Sequence, residues 1–279
     1  MGQQLVNGLL LGGTYALVGV GMSMIFGIVK LTNLAHGEFI ILAAYFSVMF
    51  CTSFGLHPLL TLIITMPLMF ILGYLLQTLL INRMMARGSE PALLVTFGLS
   101  IIIQNALLLI FTADAQRLIV SFQSKSIPLF RNVSIPVLNL VCCGIGLLTI
   151  LILHFFLQKT FIGQSIRATS DDTVAAGLMG VNVRRTYGVA MGIALATTAI
   201  AGVVVGMPST FYPTSGSEYL IIAFGVVVIG GMGSIKGTMV AGFVFGLARV
   251  LGGANYGLMA AYLVLLIMLA VRPQGLFSR

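Results

Sequence analysis

Apolar residues run along this chain in long unbroken blocks rather than in the alternations that give a helix or strand one wet face. Stretches free of Asp, Glu, Lys and Arg cover 1–29, 39–82, 91–113, 132–158, 186–217, 219–235, 237–248 and 250–271. A membrane-crossing helix needs about 20 apolar residues, so most blocks predict one span each. Block 39–82 is long enough for two, divided at Phe54-Gly55-Leu56-His57-Pro58, where the residues favour a turn. Beyond residue 218 the pieces 219–231, 238–252 and 258–271 are short and glycine-rich, and predict two full spans plus a broken or re-entrant one. The pattern predicts an all-α polytopic membrane bundle of about eight to nine segments, with one or more broken or re-entrant helices. A single transmembrane domain covers 1–279.

Composition agrees with this reading. Of 279 residues, 59% are hydrophobic and 7% charged, against roughly a quarter charged in soluble domains, too few charges to cover a water-facing globule. The net charge of +8 comes from basic residues scattered singly between apolar blocks, which does not build a nucleic-acid surface but does set topology. Lys30, Arg83, Arg87, Lys159, Arg167, Arg184, Arg185, Lys236, Arg272 and Arg279 fall on one side, and Arg117, Lys125 and Arg131 on the other. The richer side is expected to be cytoplasmic, with an outer loop at 113–137 and an inner loop at 158–186. The amino-terminal Met1-Gly2-Gln3-Gln4 lacks a basic leader and a small-residue cleavage site, so the first block reads as a retained span. Cys51, Cys142 and Cys143 lie in or beside apolar blocks and suggest neither a disulfide framework nor a metal site.

Several polar groups interrupt the apolar pattern. Gly-x-x-x-Gly pairs at Gly8/Gly12, Gly202/Gly206, Gly233/Gly237 and Gly242/Gly246 put two glycines on one helix face, suited to close packing or to faces that slide. The segment Leu31-Thr32-Asn33-Leu34-Ala35-His36-Gly37-Glu38 fits a bare turn with Asn33 as cap and Glu38 in the next helix's first turn. It equally fits an interrupted segment lining a translocation path. Asn33-Leu34-Ala35 stops one residue short of the Asn-Pro-Ala of water channels, without a second copy. Gln104 and Asn105 fall mid-span, where an amide needs a partner, across helices or in a pathway. Asn7, Tyr15, Asn33, His36, Gln104 and Asn105 are the candidate pathway residues. Arg249, isolated between Lys236 and Arg272, is expected to snorkel outward.

No enzymatic constellation emerges. Lys236 follows Ile235 instead of the glycine of a phosphate loop, the three histidines and three cysteines lack metal-ligand spacing, and no nucleophile elbow or paired carboxylates appear. No cofactor is expected, and energy for transport must come from another subunit or an ion gradient.

Loop 158–186 carries a predicted two-turn helix on the cytoplasmic face, with Ser170 or Asp171 as N-cap, Asp171 and Asp172 in the first turn, Ala175 and Ala176 within it, and Gly180 as its stop. Gly163-x-x-Ile166-Arg167-Ala168 followed by Ala175-Ala176-x-x-x-Gly180-Val181-Asn182 resembles the coupling loop of permease subunits in the bacterial branched-chain amino acid (Liv-type) ABC importer family, nearest its H-type permease. Asn7-Gly8-x(5)-Tyr15-Ala16-Leu17 with Ile25-Phe26-Gly27, Asn33-Leu34-Ala35-His36-Gly37, and Gly230-Gly231-Met232-Gly233-Ser234 with Arg272-Pro273-Gln274-Gly275-Leu276-Phe277 extend the likeness over nearly the whole chain. The resemblance implies a permease of the bacterial inner membrane that pairs with a second homologous permease, two ATPase subunits that bind the ATP, and a periplasmic solute-binding protein. It places Gly163, Arg167, Ala168, Asp171, Asp172, Ala175, Ala176, Gly180 and Asn182 at the ATPase contact. Branched-chain amino acids are the implied substrate. A passive channel or an ABC permease for urea or short amides is the alternative.

Overall fold

A computed structural model describes residues 1–85, 88–130 and 133–277; Arg87, Arg131 and Arg279, used above for topology, lie outside the described residues. The elements are α1 (Gly2–Val29), α2 (His36–Phe54), α3 (Leu62–Leu75), continued through a π-turn (Leu76–Ile81) into α4 (Asn82–Met85), and α5 (Ser89–Phe111). Then come β1 (Ser126–Phe130), β2 (Val133–Pro136), α6 (Val137–Lys159), α7 (Phe161–Asp171), α8 (Thr173–Leu178) and α9 (Val183–Gly206). The chain ends with α10 (Gly216–Gly230), α11 (Ile235–Leu251) and α12 (Gly253–Val271).

This is a polytopic helical membrane protein. In hydrocarbon each backbone N–H and C=O must be satisfied within its own segment, which makes the long apolar blocks helical. Among the described residues, seven segments are long and apolar enough to cross a membrane, Leu62–Met85 and Pro213–Gly230 being two of them. The difference from the eight to nine expected lies in the carboxyl-terminal third. Glycine-containing turns there separate α11, of 17 residues, and α12, of 19 residues, from each other and from α10.

α1 is the central post, buried along most of its length. Its Gly8, Gly12 and Ala16 stripe lies directly against Gly242 and Gly246 of α11: a Cβ on Gly12 would sit 2.7 Å from the Phe243 α-carbon, and one on Gly242 2.6 Å from the Ala16 backbone nitrogen. Small residues thus bring two backbones together, the packing use of that spacing. Gly233 and Gly237 do not share a helix face as expected. Gly233 has φ 86° and belongs to the turn before α11, whose N-cap Ser234 accepts from the Gly237 amide at 3.1 Å.

The Arg272–Phe277 motif folds back on the end of α10. The Leu276 and Phe277 amides donate to the carbonyls of Ile229 (2.9 Å) and Gly230 (3.1 Å), satisfying helix-end acceptors that would otherwise be orphaned. At the opposite end of the bundle, the loop 113–137 holds the antiparallel β1–β2 hairpin, an element the apolar pattern does not signal. It is tied to the start of α1 by two 2.8 Å hydrogen bonds between Gln3 and Ser134.

Candidate functional site

Two helices begin inside the bundle rather than at its surface. α1 ends at Val29, and the non-helical residues 30–35 then climb back beside it. As a result His36, the first residue of α2, places Nε2 3.0 Å from the Val18 carbonyl, eleven residues and about 16 Å back along α1. The Asn33 carboxamide oxygen accepts from the Ala35 amide at 3.0 Å and turns the chain into α2. α10 enters from the other direction. Phe211 packs edge-on against Tyr45 of α2 at 5.2 Å, yet Gly216 lies against Gly37, about 12 Å deeper along α2. The N-terminal turns of α2 and α10 therefore meet within the protein. Glu38 stands in the first turn of α2 as the turn reading expects, and the non-helical residues 30–35 lying beside α1 fit the interrupted segment as well.

At the meeting point there is no room for side chains on either glycine. A Cβ on Gly37 would strike the Gly216 carbonyl and lie 2.6 Å from the Leu220 amide, and one on Gly216 would strike the carboxylate of Glu38. Glu38 is 4% exposed, in the first turn of α2, and its Oε2 has no hydrogen-bond partner among the described residues. Asn33 Nδ2, Ser23 Oγ and Tyr45 Oη are buried in the same condition. Buried polar groups without partners cost about 1–3 kcal/mol each. Each of these atoms therefore has unused hydrogen-bonding capacity for water or a polar solute.

Arg249, in the last turn of α11, remains partly exposed but is not free. Its Nη1 pairs with Glu218 Oε1 of α10 at 3.4 Å, and its guanidinium carbon stands 5.6 Å from the centroid of Tyr15. A partner one helix away outweighs the entropic freedom of an extended side chain. Sequence reading flagged Arg249 but missed Glu218, whose only signal was its isolation between the charge-free blocks 186–217 and 219–235.

The expected pathway residues divide. Tyr15, Asn33 and His36 are all buried in this central region. Asn7 lies near the hairpin end, accepting from Gln3 at 3.0 Å. Gln104 and Asn105 sit on the peripheral α5, where Asn105 is exposed and satisfies its amide on the Ile101 carbonyl of its own helix at 2.8 Å. The structure does not bring these three to the others.

The expected coupling residues form an arm of two helices rather than one. Thr160 caps α7 by accepting from the Gly163 amide at 3.0 Å, and Gly163 packs so closely on the end of α6 that no Cβ fits. The N-cap of α8 is Asp172, not Ser170 or Asp171: it accepts from the amides of Val174 (2.8 Å) and Ala175 (3.0 Å), while Ser170 and Asp171 close α7. Gly180, at φ 87°, ends α8, with the Val181 amide bonded to the Ala176 carbonyl and the Gly180 amide to that of Gly177 (both 3.0 Å), a Schellman ending. Asn182 caps α9 by accepting from the Arg185 amide at 3.1 Å.

Ala176 is 5% exposed and turned into the protein, whereas Val174, Leu178 and Met179 are 71%, 84% and 86% exposed. The tip thus presents apolar bulk from Val174, Leu178 and Met179 beside the exposed small residues Ala175 and Gly180. Ala168 is exposed on α7. Arg167, half-buried, lines a cleft of about 250 Å³ with Lys236, His154 and Ser234. The Ser170 hydroxyl donates to the Gly27 carbonyl and so joins the arm to the end of α1.

The family described as "Branched-chain amino acid transport system / permease component" matches residues 4–271. The chain is similar to the high-affinity branched-chain amino acid transport system permease protein BraD of Pseudomonas aeruginosa, at 28% identity over 99% of this chain and 95% of that protein. It is also similar to the high-affinity branched-chain amino acid transport system permease protein LivH of Salmonella typhimurium, at 29% identity over 99% and 95%. In fold it resembles a chain of the solved structure of PsaBC from Streptococcus pneumoniae in complex with Fab, with a TM-score of 0.50 and 16% identity over 98% of this chain and 91% of that one.

Proposed function

Because the chain belongs to the family of branched-chain amino acid transport permease components, spanning it from residue 4 to residue 271, we propose that it is the membrane subunit of an ATP-driven importer of branched-chain amino acids in the bacterial inner membrane. The comparisons do not favour a passive channel or a urea or short-amide permease.

In this reading the working assembly holds a second homologous permease, two ATPase subunits that bind ATP, and a periplasmic solute-binding protein. It sits in a lipid bilayer and involves no nucleic acid. The chain is no enzyme and carries no cofactor, and the chemistry of ATP belongs to its partners. The α7–α8 arm is the contact with an ATPase. Supporting this, it projects from the bundle with Val174, Leu178 and Met179 uncovered, is stiffened by caps at Thr160, Asp172 and Gly180, and is bonded through Ser170 to α1. A push on the arm reaches α1 at Gly27, whose α-carbon abuts Gly233 in the turn between α10 and α11, and so reaches both helices that frame the Glu218–Arg249 pair. Such rigid-body transmission is a common way to alternate access.

The single observation that carries the reading is the family match along the whole chain, joined to this exposed arm. The test is radiolabelled leucine uptake into proteoliposomes holding the permease pair with and without its ATPases, binding protein and ATP. Uptake that requires all of them is expected. Equal uptake without the ATPases, or crosslinking that places Asp172 on the periplasmic side, would overturn the proposal.

A further inference from the structure

Charged side chains are rare within this bundle, yet Glu218 and Arg249 face one another there in partial exposure, 45% and 30%. Each is held in place by its own helix. Glu218 stands in the first turn of α10, where the helix dipole favours a carboxylate. Arg249 extends from α11, which the glycine stripe of α1 locks in position, and lies over the ring of Tyr15, itself 4% exposed. Left against hydrocarbon, such a pair is costly. Its 3.4 Å separation is also longer than the about 2.7–2.9 Å of a closed charge-assisted hydrogen bond. The two charges are fixed close together but not fully satisfied by one another.

Along α10 the open face continues with Ile221 and Phe224, 49% and 38% exposed, in steps of three residues from Glu218, each adjoining the one before it. A cation, an anion and an aliphatic strip thus occur in one place. An α-amino acid with a branched side chain carries the complementary ammonium, carboxylate and aliphatic groups.

We propose that Glu218 and Arg249 form a subsite for the zwitterionic head of the transported amino acid, the ammonium meeting Glu218 and the carboxylate meeting Arg249 over Tyr15, with the side chain along Ile221 and Phe224. The proposal rests on the transport reading above and deepens it. The solute opens the ion pair by replacing each partner with its own opposite charge, so neither residue is left uncompensated at membrane depth.

The test uses the complete transporter in proteoliposomes, following labelled leucine and ATP hydrolysis together. Glu218→Gln and Arg249→Met are each expected to lower leucine moved per ATP by roughly tenfold or more, with permease pairing unchanged. The charge exchange Glu218→Arg with Arg249→Glu keeps an ion pair but reverses its polarity, and is expected not to restore uptake. Restoration would make the pair a structural strut and overturn the proposal. So would wild-type uptake in the single variants, or loss of the second permease on size exclusion, which would make this face a subunit interface. Ile221→Cys leaves both charges in place and covers the case of variants that fail to fold: leucine during turnover is expected to slow its maleimide labelling several-fold, and unchanged labelling would overturn the subsite. Wild-type uptake is the control. Its failure removes the transport reading and the subsite with it, whereas intact wild-type uptake with indifferent variants removes the subsite alone.

Discussion

Gly37 and Gly216 touch backbone to backbone, joining the first turns of two helices that begin inside the bundle. Either glycine replaced by alanine drives a methyl into the facing turn. Gly37→Ala and Gly216→Ala are each expected to cost about 1–3 kcal/mol, seen as lower thermal stability in detergent, and to abolish leucine uptake. Wild-type stability in both variants would mean that the junction is looser than described.

Glu38 has a carboxylate oxygen with no partner among the described residues. Glu38→Gln keeps the shape and removes the charge, so the folded state is expected to hold or gain about 1 kcal/mol while transport falls. Unimpaired uptake would reduce Glu38 to packing against Gly216.

At the tip of the arm, Leu178 and Met179 are exposed while Ala176 is buried. Leu178→Asp with Met179→Asp is expected to weaken retention of the ATPase by roughly tenfold or more in pull-down, through loss of apolar contact, and to leave the permease folded. Ala176→Arg is expected instead to destabilise the arm itself, read as faster proteolysis between residues 160 and 183. Pull-down unaffected by the double variant would move the ATPase contact elsewhere.

Ser170 joins the arm to the Gly27 carbonyl. Ser170→Ala is expected to leave ATPase binding intact and cost about 1 kcal/mol of local stability, while lowering leucine moved per ATP hydrolysed. Unchanged stoichiometry would show that force reaches α1 by another contact.

Gly180 adopts φ 87° at the end of α8. Gly180→Ala is expected to cost about 1–2 kcal/mol and to raise amide exchange in Thr173–Leu178, with little change across α1. Equal protection in both proteins would remove the strain argument.

Much of this architecture is legible along the chain because lipid acts on each segment separately. A charge-free block of sufficient length has to satisfy its own backbone, so α1, α2, α5, α6 and α9 follow from composition alone. Local rules also reach the stop at Gly180, since a helix ending depends on a few neighbouring residues. Where several residues compete to cap, as Ser170, Asp171 and Asp172 do, the geometry of the preceding α7 settles the matter. The small-residue stripes are equally visible, but not which stripe meets which: Gly8 and Gly12 find Gly242 and Gly246 more than two hundred positions away.

The candidate site was least visible, for the same reason. The depth at which α2 and α10 begin is written in no block length: it depends on the Val18 carbonyl receiving His36 and on two glycines meeting. Arg249 taken alone is a cation seeking the nearest water, and it is paired because folding delivers Glu218 and Tyr15 to it. Solvation and backbone satisfaction are local costs that a sequence displays residue by residue. Pairing between distant helices is a relation among residues, and it comes into being only when the chain closes on itself.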